Sequence, residues 1–314
     1  MRLIIALGGN ALMQRGDPLD PAAQRRNLAI AAEALVPILH LHQAIITHGN
    51  GPQVGLLGLQ SAALGGPETP LDVLGAESEG MIGYVLEQEL ASRLQPSHAG
   101  TTRKMAVLLS QTIVDAKDPA FNAPAKPIGP VYDEATAHRL ASERKWTVAE
   151  DGQFWRRVVA SPAPLRVLEI ETIRLLVDAG VIVICAGGGG VPVVQSPDGT
   201  ITGVEAVIDK DAASALLAVE LGADILMMLT DVSAVMTDFG TPKERALKCA
   251  TPKGLSQLTF ARGSMGPKIA AAVTMARAGK IAAIGALADA SRLLEGTAGT
   301  TILPDGKCPD LTWW

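Results

Sequence analysis

The sequence predicts an open α/β fold with a mainly parallel central sheet covered by helices on both faces. Three observations carry this. Short apolar runs rich in β-formers alternate with longer helix-patterned stretches. The runs are apolar throughout rather than at every second residue, the mark of strands buried on both faces. Several of them end in glycine clusters, at the carboxyl end of the strand where open α/β sheets bind ligands.

In chain order, the predicted strands are Leu3–Leu7, Ala44–Thr47, Met105–Leu109, Val181–Ala186, Ile225–Leu229 and Ile281–Ala286. A helix is predicted over 77–94, with Ile82, Val85, Leu86, Leu90 and Leu94 on one face. A second covers 209–221, with Ala212, Ala215, Leu216 and Val219 inward, and a third covers 267–279. Residues 191–206 read as a hairpin, because Pro197-Asp198-Gly199-Thr200 separates Val193-Val194 from Ile201. Residues 115–165 are Pro-rich and too long for a plain connection, so a small excursion or lid is expected there. No internal repeat interrupts the pattern.

The bulk composition narrows the function classes. A chain of 314 residues with 48% hydrophobic content can bury a sizeable core, and lies slightly beyond the size where one core divides into two lobes. A formal charge of −5 without a basic face argues against a nucleic-acid partner. Cys185, Cys249 and Cys308 are widely spaced and follow no CxxC pattern, which fits reduced thiols in the cytoplasm. Leu3–Leu7 is too short for a signal-peptide core. The richest apolar stretch, 28–46, contains Glu33, Pro37, His40 and His42, so no membrane span is expected.

The chemistry-bearing motifs sit at strand ends. Gly8-Gly9-Asn10 follows the first strand, where adjacent glycines let amides approach an anion or simply make a tight turn. The second strand runs into Thr47-His48-Gly49-Asn50-Gly51-Pro52-Gln53-Val54-Gly55, with a helix starting near Pro52. The spacing is wrong for GxGxxG, and no GxxxxGK[ST] occurs, so the chain is not a P-loop enzyme. Gly187–Gly190 follow another buried strand, where close approach of a ligand accounts for four successive glycines. In Asp209-Lys210-Asp211, Asp209 is a helix N-cap, yet Lys210 lies at the positive end of the helix. Gly263-Ser264-Met265-Gly266-Pro267-Lys268 repeats the arrangement, with Lys268 in a first helical turn. A cation there opposes the helix dipole unless an anion lies between them. The histidines show no metal spacing.

Taken together these motifs resemble the carbamate kinases, a branch of the amino-acid kinase superfamily, nearly end to end. The likeness extends through Pro70-Leu71-Asp72-Val73, Gly80-Met81-Ile82-Gly83-Tyr84, Lys126-Pro127-Ile128-Gly129-Pro130, Trp155-Arg156-Arg157-Val158-Val159 and Thr230-Asp231-Val232. It implies an open αβα sandwich with an N-terminal carbamate lobe (1–205) and a C-terminal nucleotide lobe (206–314). It also implies a protruding subdomain near 115–165, a homodimer, and ATP/ADP with Mg²⁺. Gly8, Gly9, Asn10, Gly49, Asn50 and Gly51 would hold carbamate and the transferring phosphoryl group. Lys210 and Lys268 would neutralise its oxygens, with Asp211 aligning the two lysines and Lys126 reaching in from the subdomain. Gly187, Gly188, Thr230, Asp231 and Met265 would border the nucleotide. Many relatives outside this branch carry a lysine on the first strand, where this chain has Ala6, so Lys210 would supply that charge. The carboxylate nucleophile is already anionic, so the resemblance implies catalysis by positioning and charge neutralisation, used towards ATP in arginine or related catabolism.

Ser233 and Met236 depart from the family pattern beside the nucleotide, and the tail ending in Trp313-Trp314 has no assigned role. Two other readings compete. One is a sister kinase for a larger acid, against which Lys126-Pro127-Ile128-Gly129 and the long excursion argue. The other is a catalytically silent binding protein, against which Lys210, Lys268 and Asp211 argue.

Overall fold

The chain begins β1 (Arg2–Leu7), α1 (Gly9–Leu12), α2 (Pro21–Leu41), β2 (Gln43–His48), α3 (Gly51–Ala63), α4 (Leu71–Arg93), β3 (Met105–Val107) and β4 (Gln111–Val114). It continues with β5 (Lys126–Tyr132), α5 (Glu134–Arg144), β6 (Thr147–Asp151), β7 (Phe154–Val159), β8 (Pro164–Val167), α6 (Ile170–Asp178), β9 (Ile182–Ile184), β10 (Val191–Gln195) and β11 (Ile201–Gly203). The rest is α7 (Lys210–Glu220), β12 (Ile225–Thr230), β13 (Met236–Thr237), β14 (Arg245–Ala250), α8 (Pro252–Leu255), α9 (Met265–Arg277), β15 (Ile281–Ala286), α10 (Ala290–Leu294), β16 (Thr300–Ile302) and β17 (Leu311–Trp313). The structure, a computed structural model, describes residues 1–12, 20–63, 68–94, 103–261 and 263–314, without the side chains of Asn10 and Ala11.

The main sheet has the order β13-β14-β16-β15-β12-β1-β2-β9-β3, with β17 added along β14. From β15 to β3 every neighbouring pair is parallel. Antiparallel pairing occurs only towards the other end of the described sheet, at β15–β16, β13–β14 and β14–β17. The centre is β1, with β2 on one side and β12 on the other.

Successive residues of a strand point to opposite faces, and both faces of β1 are buried. Ile4 and Ala6 join a core built on α6, α7 and α9, through residues such as Val177, Leu217 and Ala272. Leu3, Ile5 and Leu7 join a second core built on α2, α4 and α10, through Leu28, Ile82 and Leu293. This two-sided burial is why the strands are apolar without alternation. Each fully buried Leu or Ile contributes about 1.5–3 kcal/mol relative to exposure. Local chemistry starts the helices: Asp20 caps α2 by accepting from Ala23 N at 2.7 Å, with Pro21 in the first turn.

Two smaller sheets stand beside the main one. One runs β11-β10-β4-β8 and contains the hairpin around Pro197-Asp198-Gly199. The other, β5-β7-β6, carries α5 and is built from residues 126–159. It meets the main body where α3 and β5 touch backbone to backbone: a Cβ on Gly55 would lie 1.9 Å from Gly129 Cα.

Three sequence expectations need correction. The buried residues of α7 are Asp211, Ala213, Ser214, Ala215, Leu217 and Ala218, while Ala212 and Leu216 are half-buried and Val219 is 42% exposed. Asp211 meets two lysines from inside, and that fixes the helix rotation against a simple count of apolar residues. The strand expected over Val181–Ala186 is regular only from Ile182 to Ile184, because Ala186 enters the left-handed region at φ 50° to begin the glycine turn. The strand expected to reach Leu109 ends at Val107, and Leu109 is exposed. The tail adds β17 to the sheet. Arg245 lies 4.1 Å over the Trp313 ring, and Trp314 Nε1 donates to Gly299 O at 2.8 Å.

Candidate active site

A cleft of about 830 Å³ opens at the carboxyl ends of β1, β2 and β12. Two glycine loops form its floor. Gly8 N donates to Leu229 O at 2.8 Å and Gly49 N to Leu7 O at 3.1 Å, so both turns remain tied to the sheet. They lie so close that a Cβ on Gly49 would stand 3.3 Å from Gly9 N. A side chain at residue 49 would crowd this approach. Gly51 follows at the start of α3, and Asn50 projects between the loops and the turn at Gly187–Gly190.

The charged centre is Asp211, in the first turn of α7. Lys210 Nζ donates to its Oδ1 at 2.5 Å, and Lys268 Nζ, from the first turn of α9, to its Oδ2 at 2.9 Å. Asp211 is 4% exposed, and the two lysine side chains are 10% and 13% exposed. Burial alone would raise the Asp211 carboxyl, but the two ammonium groups override it and hold the acid well below the usual carboxylate range. Burial pushes the Lys210 ammonium down, opposed by Asp211 and reinforced by Lys268. Two cations on one carboxylate leave a positive charge nearly cut off from water, which is costly without an anion. An anion in the cleft would complete the balance.

Lys126 enters from β5 and donates to Asp209 Oδ2 at 2.5 Å. Asp209 is also the N-cap of α7, accepting from Asp211 N and Ala212 N at 3.0 and 3.1 Å. One acid thus joins the small sheet to the helix that carries Lys210. The cleft continues past Thr230 and Asp231 at the end of β12 to Met236, Phe260 and Met265.

The structure brings together Gly8, Gly9, Gly49, Asn50, Gly51, Lys126, Gly188, Lys210, Asp211, Thr230, Asp231, Met265 and Lys268 on this one cleft. Gly187 does not reach it. It lies behind the wall, where a Cβ would meet His48 Nε2 at 2.6 Å and Glu79 Cγ at 2.8 Å. The Asn10 side chain falls outside the described residues. Met236 lines the cleft and Ser233 does not.

Sequence reasoning missed the support behind the cleft. Glu79 on α4 is buried, and its Oε1 accepts from Ser110 Oγ at 2.7 Å and Gly187 N at 2.9 Å. Ser110 Oγ in turn accepts from Ala186 N at 2.6 Å. These bonds hold the left-handed Ala186 and the turn after it. Burial pushes the Glu79 carboxyl up to about 7, against the lowering effect of its hydrogen bonds. Burial pushes His48 down to about 4. Its Nδ1 meets Gly49 O at 3.0 Å, and its Nε2 is buried with no partner among the described residues. The available signal was a polar Ser78-Glu79 pair on the buried face of an apolar helix. Asp209 was read only as a cap, and its pairing with Lys126 was not visible in the spacing.

A family model described as "Amino acid kinase family" matches residues 1–284. Carbamate kinase from Haemophilus influenzae is 52% identical over 304 residues, covering 96% of each chain. Carbamate kinase from Rhizobium meliloti is 50% identical over 317 residues, covering 100% of this chain and 96% of its own. The structure of carbamate kinase from Giardia lamblia bound to AMP-PNP superposes with a TM-score of 0.86 at 40% identity, covering 97% of this chain and 98% of that one.

Proposed function

Since the chain belongs to the amino acid kinase family, in its carbamate kinase branch, we propose that the cleft transfers a phosphoryl group between ATP and carbamate in the following way. The carbamate oxygen is already an anion, so no general base is required, and the protein's task is to align reactants and neutralise charge. The observation that carries this reading is Asp211, which holds Lys210 and Lys268 side by side at 2.5 and 2.9 Å next to two glycine loops. The two ammonium groups face the oxygens of the transferring phosphoryl group. The amides of Gly9 and Gly51, with the Asn50 side chain, bind the acceptor end beside Gly8 and Gly49, whose own amides are held by the sheet. Lys126 covers the carbamate from β5. Thr230, Asp231, Met236 and Met265 border the nucleotide, which extends into the half of the sheet after residue 205.

Mg²⁺ fits this cleft as an ion carried on the nucleotide phosphates. Asp211 is committed to two lysines, and Asp209 to Lys126 and two amides. Among the described residues no cluster of three potential metal ligands occurs. Phosphate oxygens and water would therefore complete the coordination, as Mg²⁺ commonly prefers, and the ion would draw off negative charge from the phosphates.

Further parts of the proposal concern setting. The outward face of α4 exposes Val73, Met81 and Tyr84, which supports a homodimer packed through that helix. The three free thiols suit the cytoplasm. Use towards ATP, from carbamoyl phosphate made in arginine breakdown, belongs to the same reading.

A coupled assay for ATP, starting from ADP and carbamoyl phosphate with Mg²⁺, tests the reading directly. Rapid ATP formation is expected. No turnover with carbamoyl phosphate, alongside turnover with the acyl phosphate of a larger acid, would overturn it.

A further inference from the structure

Asn50 lines the cleft with only 8% of its surface exposed, and two contacts lock its side-chain amide. First, Nδ2 donates to Ser78 Oγ at 2.9 Å. Second, the amide lies flat against Gly188: a Cβ there would be 2.2 Å from Nδ2 and 2.3 Å from both Cγ and Oδ1. Gly188 has φ +66°, so its place is set by the turn that Glu79 and Ser110 hold. Helix α4 thus fixes the amide twice, through Ser78 at one end and through Glu79 behind the turn.

Ser78 also decides which way the amide faces. Its single hydroxyl proton goes to the Gly75 carbonyl at 2.9 Å. Towards Asn50 it can then only accept, and an acceptor selects the NH₂ end of an amide. Ser78 is 0% exposed, so water does not compete for that lone pair. The opposite end, Oδ1, meets no donor among the described residues. It is not one of the buried polar atoms left without a partner, so it opens onto the cleft. An amide oxygen there can only accept.

Carbamate and acetate have the same shape and the same carboxylate. They differ in NH₂ against CH₃. An acceptor fixed beside that position gains a hydrogen bond from the amino group and is stripped of water without compensation by the methyl group. We propose that Ser78 is a specificity-determining positioning residue, which turns Asn50 Oδ1 into the cleft to accept from the amino group of carbamate. The inference rests on the carbamate-binding role proposed for Asn50 above.

The test measures ATP formation from ADP with carbamoyl phosphate and, separately, with acetyl phosphate. In both reactions the phosphoryl group passes from the acyl oxygen to the terminal phosphate oxygen of ADP, releasing carbamate or acetate. Only the group beside the carbonyl differs. In Ser78→Ala, kcat/KM for carbamoyl phosphate should fall about tenfold while acetyl phosphate is little affected, so the preference shrinks by about the same factor. Ser78→Cys, nearly the same volume with a poor acceptor, is read in the same way should the alanine variant not fold. An equal fall for both substrates would mark Ser78 as packing alone and overturn the inference, as would an unchanged preference. A wild-type chain that makes no ATP from carbamoyl phosphate would remove the functional assignment itself, and this inference with it.

Discussion

At Asp211 a single carboxylate, almost out of water, carries two ammonium groups. Its partners are therefore positioned before any substrate arrives, and one of their two charges is left over for the substrate. Lys210→Ala and Lys268→Ala should each lower kcat about 100- to 1000-fold, the usual cost of losing one preorganised charge contact, with the far-ultraviolet dichroism unchanged. Turnover near wild type in either variant would remove that lysine from the mechanism. These residues were legible in the sequence because a lysine at the positive end of a helix defies the local dipole and invites an explanation. Ser78 and Glu79 were not, because their partners lie far along the chain: Asn50 at a separation of 28 residues, Ser110 at 31 and Gly187 at 108. Glu79 makes its own prediction. Its folded pKa, pushed up to about 7 from an ordinary 4.5, means that the folded state binds its proton more tightly. That contribution to stability is present at low pH and is lost as pH rises through 7. His48 acts in the opposite sense, costing stability as pH falls from 6.5 towards 4. Glu79→Gln removes only the first effect, so its Tm relative to wild type should climb between about pH 5 and about pH 8. A constant difference would mean that Glu79 does not titrate in that window.

Among the elements, β5 has the most to answer for, because it brings Lys126 to the cleft from a separate sheet. Lys126 is half-buried and its partner, Asp209, keeps its bonds to the α7 amides without it. Lys126→Ala should weaken the use of carbamoyl phosphate far more than the binding of ADP, and shift Tm little. Unaltered kinetics for carbamoyl phosphate would leave the small sheet without a role at the acceptor end. The strands were legible as elements because burial on both faces requires continuous apolar runs. The inward face of α7 was not legible, since the ion pair at Asp211 outranks the pattern of its alanines and leucines. The contact of α3 with β5 escaped as well: Gly55 and Gly129 look like ordinary glycines until the two backbones are seen to touch.

For the whole molecule, the fold class was legible, but the order of the strands was not. Alternating elements say that a sheet exists; they do not say that residues 2–7 pair with residues 225–230. The outward face of α4 makes the prediction at this scale. Met81 and Tyr84 are 36% and 57% exposed on one side of a long helix, with Val73 a few turns away, so the protein should sediment as a dimer at micromolar concentration. Tyr84→Glu should shift it towards monomer, by placing a charge in an apolar contact. A wild-type monomer at that concentration would sink the proposal.

The central position of β1 has a consequence for how the chain reaches this state. Its register runs from Leu3↔Ile225 to Leu7↔Leu229 on one side and from Arg2↔Gln43 to Leu7↔His48 on the other. The strand serves both faces of the sheet, and neither core is complete without it. The two faces of the sheet share one keystone. The pairing of β1 with β12 closes a loop of more than two hundred residues, which makes folding slow. Cut after residue 205, the C-terminal piece would keep β12 with its edge uncovered, and would lose both β1 and β2. A peptide spanning Arg2–Leu7 has the register that edge would accept.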